Sequence, residues 1–143
     1  MPNTIENTTI NGLGHIALNV RNMDRTLNFY CKVLGLKHAF TLRDSSGEPT
    51  AEYVKASQNN FIELLYPRKG IELLQDTGRT TFSHICLTVS DIHAAEKAIV
   101  DAGWPIATKL KQVDSNWMLF VKDPDGNRVE LTQISPDSPQ AKA

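Results

Sequence analysis

Four side chains in this 143-residue sequence are of the types that hold a divalent metal ion, and they come as two pairs. His15 opens the apolar segment Gly14-His15-Ile16-Ala17-Leu18-Asn19-Val20, and His84 opens Ser83-His84-Ile85-Cys86-Leu87-Thr88-Val89. A glutamate follows each inside a second apolar run: Glu63 in Phe61-Ile62-Glu63-Leu64-Leu65, and Glu130 in Val129-Glu130-Leu131-Thr132. The intervals are 48 and 46 residues, so residue type and spacing repeat together. Taken singly, a strand histidine is an ordinary hydrogen-bonding residue, and a strand glutamate pairs with Lys or Arg or marks an edge. Their joint repetition favours one composite metal site. Two neutral imidazoles and two carboxylates leave a divalent ion with a formal site charge near zero. Such an ion is a Lewis acid toward a carbonyl oxygen and acidifies the adjacent C–H.

Alternation along the strands says where these groups point, because successive strand residues face opposite sides of a sheet. Ile16, Leu18 and Val20 share one face, and His15, Ala17 and Asn19 share the other. The second copy repeats this with Ile85, Leu87 and Val89 against His84, Cys86 and Thr88. Glu63 shares its face with Phe61 and Leu65, and Glu130 with Arg128 and Thr132. A carboxylate among such apolar neighbours loses water, at a cost of several kcal/mol unless a cation or donors compensate it.

The elements that carry these strands also repeat. After the first strand, Asn22-Met23-Asp24 starts a helix with Leu27, Tyr30, Cys31 and Leu34 at helical spacing, ending at Gly35. After the second, Ser90-Asp91 caps a helix carrying Ile92, Ala95, Ile99 and Ala102, which stops at Gly103. Three strands are predicted in each half: near 37–43, 52–56 and 60–66, then near 106–113, 117–122 and 128–133. Asp123-Pro124-Asp125-Gly126 is a turn whose glycine supplies a positive φ. The expected fold is α+β. Two βαβββ modules, about 12–66 and 82–133, form a cupped mixed sheet with helices on the convex side and the ligand face inside. The whole chain, 1–143, is then one domain, with a linker at 67–81, a short helical turn at Ile71 to Leu74, and a flexible tail at 135–143.

Bulk properties narrow the partners. With 41% hydrophobic residues the chain has material for a real core, and a net charge of −1 without a basic run leaves no footprint for nucleic acid or an anionic membrane. A small-molecule substrate is the expected partner. The sequence has no apolar stretch of membrane-spanning length, and its start lacks the pattern of a signal peptide, which points to the cytoplasm. Cys31 and Cys86 read as two small buried thiols rather than a disulfide.

The paired βαβββ units, His15 to Val20 followed by Asn28-Phe29-Tyr30-Cys31-Lys32-Val33-Leu34-Gly35-Leu36, and the closing Asp123-Pro124-Asp125-Gly126-Asn127-Arg128-Val129-Glu130-Leu131 resemble the vicinal oxygen chelate superfamily. The resemblance covers about residues 12–133 and is nearest to the glyoxalase I group, the lactoylglutathione lyases. It implies a metal site made by His15, Glu63, His84 and Glu130, six-coordinate with Ni, Co, Zn or Mn, the donor set leaving the identity open. It also implies a lyase or isomerase that moves a proton on a metal-chelated 2-oxo or hydroxycarbonyl substrate, and a homodimer, with the site either within one chain or shared between two. Asn19 and Pro67 stand where glutathione-specific members carry arginine and asparagine, so the resemblance does not name the thiol. The segment Phe61 to Pro67 is also similar to methylmalonyl-CoA epimerase, which uses a second acid on a preceding strand, where Glu52 lies. Metal-free drug-binding proteins of the bleomycin-resistance kind share the fold and typically lack the ligands.

In the glyoxalase-like reading a carboxylate at the metal's edge removes and returns the proton. Glu130 is assigned that role, with Glu63 its near-symmetric counterpart. The alternative makes both glutamates plain ligands and gives the transfer to Glu52. His38 and His93 are expected to face water. Trp117, Met118 and Phe120 are core or cup lining. Arg43, Lys55, Lys109 and Lys111 are either anion contacts or solvated faces.

Overall fold

A computed structural model of the chain describes residues 12–73 and 82–143. Its element order is β1 (His15–Asn19), α1 (Met23–Leu27), β2 (Lys37–Arg43), β3 (Pro49–Lys55), β4 (Phe61–Leu65), β5 (Ile85–Thr88), α2 (Ile92–Asp101), β6 (Thr108–Val113), β7 (Asn116–Lys122), β8 (Arg128–Gln133) and α3 (Pro139–Lys142). The strands form two four-stranded mixed sheets of identical topology, β1-β4-β3-β2 and β5-β8-β7-β6. In each, the first strand pairs in parallel with the last, and the remaining pairs are antiparallel. The fold class is therefore α+β, two open sheets with few helices.

The helix signals act as their chemistry requires. The Asn22 side chain accepts from the Arg25 N–H at 3.0 Å, and Asp91 accepts from the Ala94 N–H at 3.0 Å, each satisfying an amide the first turn leaves unpaired. Beyond α1 the chain continues as a π-helical stretch over Asn28–Val33, where Leu34 N–H donates to the Phe29 carbonyl. This wider turn buries the consecutive residues Phe29 and Tyr30 together. Phe29 packs on Trp104, and the Tyr30 hydroxyl donates to Asp123 Oδ2 at 2.9 Å. Arg21 adds a second bridge to Asp125 at 3.1 Å. Module one is thus pinned to the β7–β8 turn of module two. Gly126 has φ +87° in that turn, and Asp123 accepts from the amides of Asp125 and Asn127 and from the Asn127 side chain.

Apolar residues of both sheets enter one core, with Leu18, Val20, Val54, Ile62 and Leu64 from one side and Ile85, Leu119, Val121, Val129 and Leu131 from the other. Ile92 and Ile99 of α2 pack into the same cluster. Leu18, Val20, Ile62, Leu64, Ile85, Val129 and Leu131 lie on the strand faces that alternation sets opposite the His and Glu side chains, whereas Val54, Leu119 and Val121 are not singled out by the sequence.

Several expectations need correction. Residues 71–73 are not helical, and Leu74 lies outside the described residues. The stretch expected to be a flexible tail carries the one-turn helix α3, whose first turn is capped by Ser138 accepting from Ala141 N–H at 3.2 Å. Cys86 is exposed and not a buried thiol, because it lies on the ligand-bearing face of β5; Cys31 is half-buried.

Candidate metal centre

The first His–Glu pair sits where β1 and β4 run in parallel. Ala17 is level with Glu63 and His15 with Phe61, so His15 and Glu63 are diagonal neighbours on one face. His15 Nε2 stands 3.2 Å from Glu63 Oε2. Tyr53, level with Glu63 on β3, sets its ring edge-on to His15 at 5.6 Å. Burial and then the neighbouring Glu63 carboxylate push the Tyr53 phenol above its usual range. Phe40 stacks on Tyr53 at 4.4 Å, and Phe61 closes an aromatic cluster beside the pair.

The second pair repeats this on β5 and β8. Glu130 is level with Cys86 and, across β7, with Phe120. His84 Nε2 stands 2.8 Å from Glu130 Oε2, and Phe120 is edge-on to His84 at 5.2 Å. Thr132 donates its hydroxyl to Glu130 Oε1 at 2.5 Å, so one carboxylate oxygen is pinned and the other faces the imidazole. Ser83 Oγ lies 2.8 Å from the other His84 ring nitrogen. Glu130 is buried at 8% exposure, deeper than a carboxylate sits without such partners.

The donor separations are those of hydrogen-bonded His–Glu pairs and equally leave room for an ion between adjacent ligands. Two ligands at about 2.1 Å from an ion and at right angles to each other stand about 3.0 Å apart. The observed 3.2 and 2.8 Å bracket that span. One chain, however, brings together only half of the set at a time. His15 meets Glu63, His84 meets Glu130, and no group of three or more His, Cys, Asp or Glu suited to a metal forms among the described residues.

Glu52 lies elsewhere. It is level with Leu64 on β3, on the face opposite Tyr53 and Glu63, and is buried at 6% exposure. His38 Nε2 at 2.6 Å, Thr41 Oγ1 at 2.6 Å and Tyr66 Oη at 2.7 Å surround its carboxylate. Burial alone raises this carboxyl, and the hydrogen bonds from Thr41, His38 and Tyr66 more than reverse that, holding it below its ordinary value. Tyr66 responds in the opposite sense and is pushed up to about 12, by burial and then by Glu52. His38 is exposed, as expected, and its Nε2 also reaches the buried Glu52 carboxylate. The alternative that gives the proton transfer to Glu52 is disfavoured, because Glu52 points to the face opposite Glu63. His93 is exposed, as expected.

Other candidates sort by the same register. Arg43 closes its own turn by donating to the Gly47 carbonyl at 3.0 Å. Phe120 lines the ligand face, while Trp117 at the end of β7 is exposed. Arg128, noted in the sequence only as sharing a face with Glu130, lays its guanidinium 4.2 Å over the Phe120 ring. No described helix is long and apolar enough to cross a membrane.

Comparison with known proteins shows the family and the fold. The family model for the glyoxalase/bleomycin resistance protein/dioxygenase superfamily matches residues 12–131. A probable lactoylglutathione lyase of Vibrio parahaemolyticus is 36% identical over 124 residues, spanning 83% of this chain and 88% of its relative. Another from Synechocystis is 34% identical over 126 residues, spanning 85% and 94%. Among solved structures, an antibiotic binding protein from a Streptomyces species superposes with TM-score 0.71 at 16% identity, covering 90% of this chain and 99% of that one. A glyoxalase I variant from Zea mays superposes with TM-score 0.72 at 24% identity, covering 86% and 45%, and both structures speak to the fold alone. With two copies of one βαβββ sheet, a His–Glu pair on each and a family match over nearly its whole length, the chain belongs to the glyoxalase/bleomycin resistance protein/dioxygenase superfamily.

Proposed function

We propose that this protein is a metal-dependent lyase or isomerase of the glyoxalase I type, working as a homodimer in which each metal site takes one His–Glu pair from each of two chains. The observation that carries the reading is the pairing itself. Two pairs have their donors at the separation of adjacent ligands, on two separate sheets of the same chain. A pair alone is too few for a tightly held divalent ion, and an isologous dimer supplies the other pair twice over. A cup joining β1–β4 of one chain to β5–β8 of the other places all four side chains on its inner face.

The bound divalent ion, Ni, Co, Zn or Mn, supplies Lewis acidity toward the carbonyl oxygen of a 2-oxo or hydroxycarbonyl substrate. The protein's own residues do the rest. Glu130 would take the proton from the carbon beside that carbonyl, while Thr132 donates to Oε1 and so fixes the plane of the carboxylate. The same group returns the proton to the neighbouring carbon. Glu63, flanked by Tyr53, is its near-symmetric counterpart. His15 and His84 are set edge-on to Tyr53 and Phe120. The named relatives are described as probable lactoylglutathione lyases, and a thiol adduct of a 2-oxoaldehyde, acted on in the cytoplasm, is the substrate class proposed for this chain.

Mixing subunits tests both parts. Glu63→Gln and Glu130→Gln proteins are each expected to be inactive toward methylglyoxal–thiol adducts after metal reconstitution. Unfolded and refolded together, they regain about a quarter of wild-type turnover, because half the dimers are mixed and each holds one intact site. No recovery sinks the shared site. No metal uptake by the wild type sinks the enzyme.

A further inference from the structure

The doubled fold provides an internal comparison. Two residues before each glutamate, on the same face, stands Phe61 in module one and Arg128 in module two. Their cross-strand partners also correspond, Lys55 opposite Phe61 and Lys122 opposite Arg128. In module one a lysine faces an aromatic ring. In module two the equivalent place holds Arg128, exposed at the start of β8 opposite Lys122. No carboxylate pairs with Arg128 among the described residues; its guanidinium rests flat on Phe120, the ring that also touches His84. Stacking of this kind occupies the face of the guanidinium and leaves its N–H edges open to a planar or tetrahedral oxyanion.

We infer that Arg128, with Lys122 beside it, is a specificity-determining residue that binds an oxyanion of the substrate, a carboxylate or a phosphate, about 7 Å along β8 from Glu130. The inference rests on the proposed function for the identity of the site and deepens it. The substrate carries its reacting carbonyl at the His–Glu pairs, an anionic group toward Arg128, and an apolar portion toward Phe40, Tyr53 and Phe61. The proposed site would thus have a charged end and an aromatic end on opposite modules, and a neutral analogue of the same shape would bind without the charged contact.

The test uses the full chain and two shape-matched pairs of probes that differ in charge, phenylphosphonate with its dimethyl ester and benzoate with methyl benzoate, titrated calorimetrically into wild type, Arg128→Gln and Arg128→Lys. Wild type is expected to prefer at least one anion over its neutral ester by about tenfold or more. Arg128→Gln abolishes that preference. Arg128→Lys keeps part of it, since the charge stays and the fork is lost. Any direct contact of the anion with a bound metal persists in all three proteins and cancels from the comparison. Which anion shows the larger preference separates phosphate from carboxylate. Equal binding of anion and ester by wild type, or an unchanged preference in folded Arg128→Gln, overturns the inference. Turnover of methylglyoxal–thiol adducts reads the proposed reaction separately. A protein that turns over nothing yet loses its anion preference in Arg128→Gln refutes the reaction and retains this subsite.

Discussion

Replacing Glu52 with glutamine separates architecture from catalysis at the one buried acid that competes with Glu130 for the proton-transfer role. The carboxylate accepts three side-chain hydrogen bonds of 2.6–2.7 Å from His38, Thr41 and Tyr66. A hydrogen bond to a charged acceptor contributes about 1.5–3 kcal/mol, and glutamine keeps one acceptor oxygen while turning an NH2 group toward the other donors. One bond is lost outright and the others lose their charge assistance, so Glu52→Gln should cost about 2–4 kcal/mol. At this chain length that lowers Tm by roughly 4–16 °C. The pH dependence has a definite sign. The folded state holds the Glu52 carboxyl below its unfolded value of 4.5, so its stabilising effect is present above that pH and lost as pH falls through the depressed value. The gap between wild type and variant should therefore close on acidification below about pH 4.5. Melting followed by circular dichroism gives the stability. Turnover measured well below both midpoints should stay within about threefold of wild type, since Glu52 lies behind the sheet from His15 and Glu63. A loss of a hundredfold or more in a folded Glu52→Gln protein would refute that placement, and an unchanged Tm would refute the hydrogen-bonded cluster.

Three further outcomes follow from the same geometry. Glu130→Gln should lower kcat by about 10²–10⁴ while retaining most of the thermal stability, and near-normal kcat would remove Glu130 as the base. Tyr30→Phe takes one donor from Asp123, a carboxyl that burial raises and that three other hydrogen bonds hold; it should cost about 1.5–3 kcal/mol in a denaturant titration, and a cost below 0.5 would mean the bridge between modules contributes little. Stripping metal with a chelator should abolish turnover and lower Tm in a way that added Ni or Co reverses, and a Tm indifferent to the ion speaks against four ligands closing on it.

The sheets and helices were legible because they depend on local rules: alternation placed Ile16, Leu18 and Ile85 on the core side, Asn22 and Asp91 capped their helices, and Gly126 turned the β7–β8 hairpin. What escaped was set by contacts between distant segments. Nothing in the period of β3 shows that Glu52 draws three donors from β2 and the end of β4, since an acid on an inward position reads equally as a strand-edge residue. The ligand pairs were legible in part for the same reason. Parallel pairing of first and last strands follows from the βαβββ order and brings each histidine to its own glutamate, whereas the relation between modules depends on Tyr30–Asp123 and Arg21–Asp125, which no spacing rule anticipates. Those bridges join the helix and strand end of one module to the turn that leads into Glu130. Within one chain they fasten the modules through the core, and the two His–Glu pairs stay on separate sheets. Under the proposed dimer a second copy of the chain would complete each site, and the asymmetry between Phe61 and Arg128 would then decide which end of a substrate meets which chain.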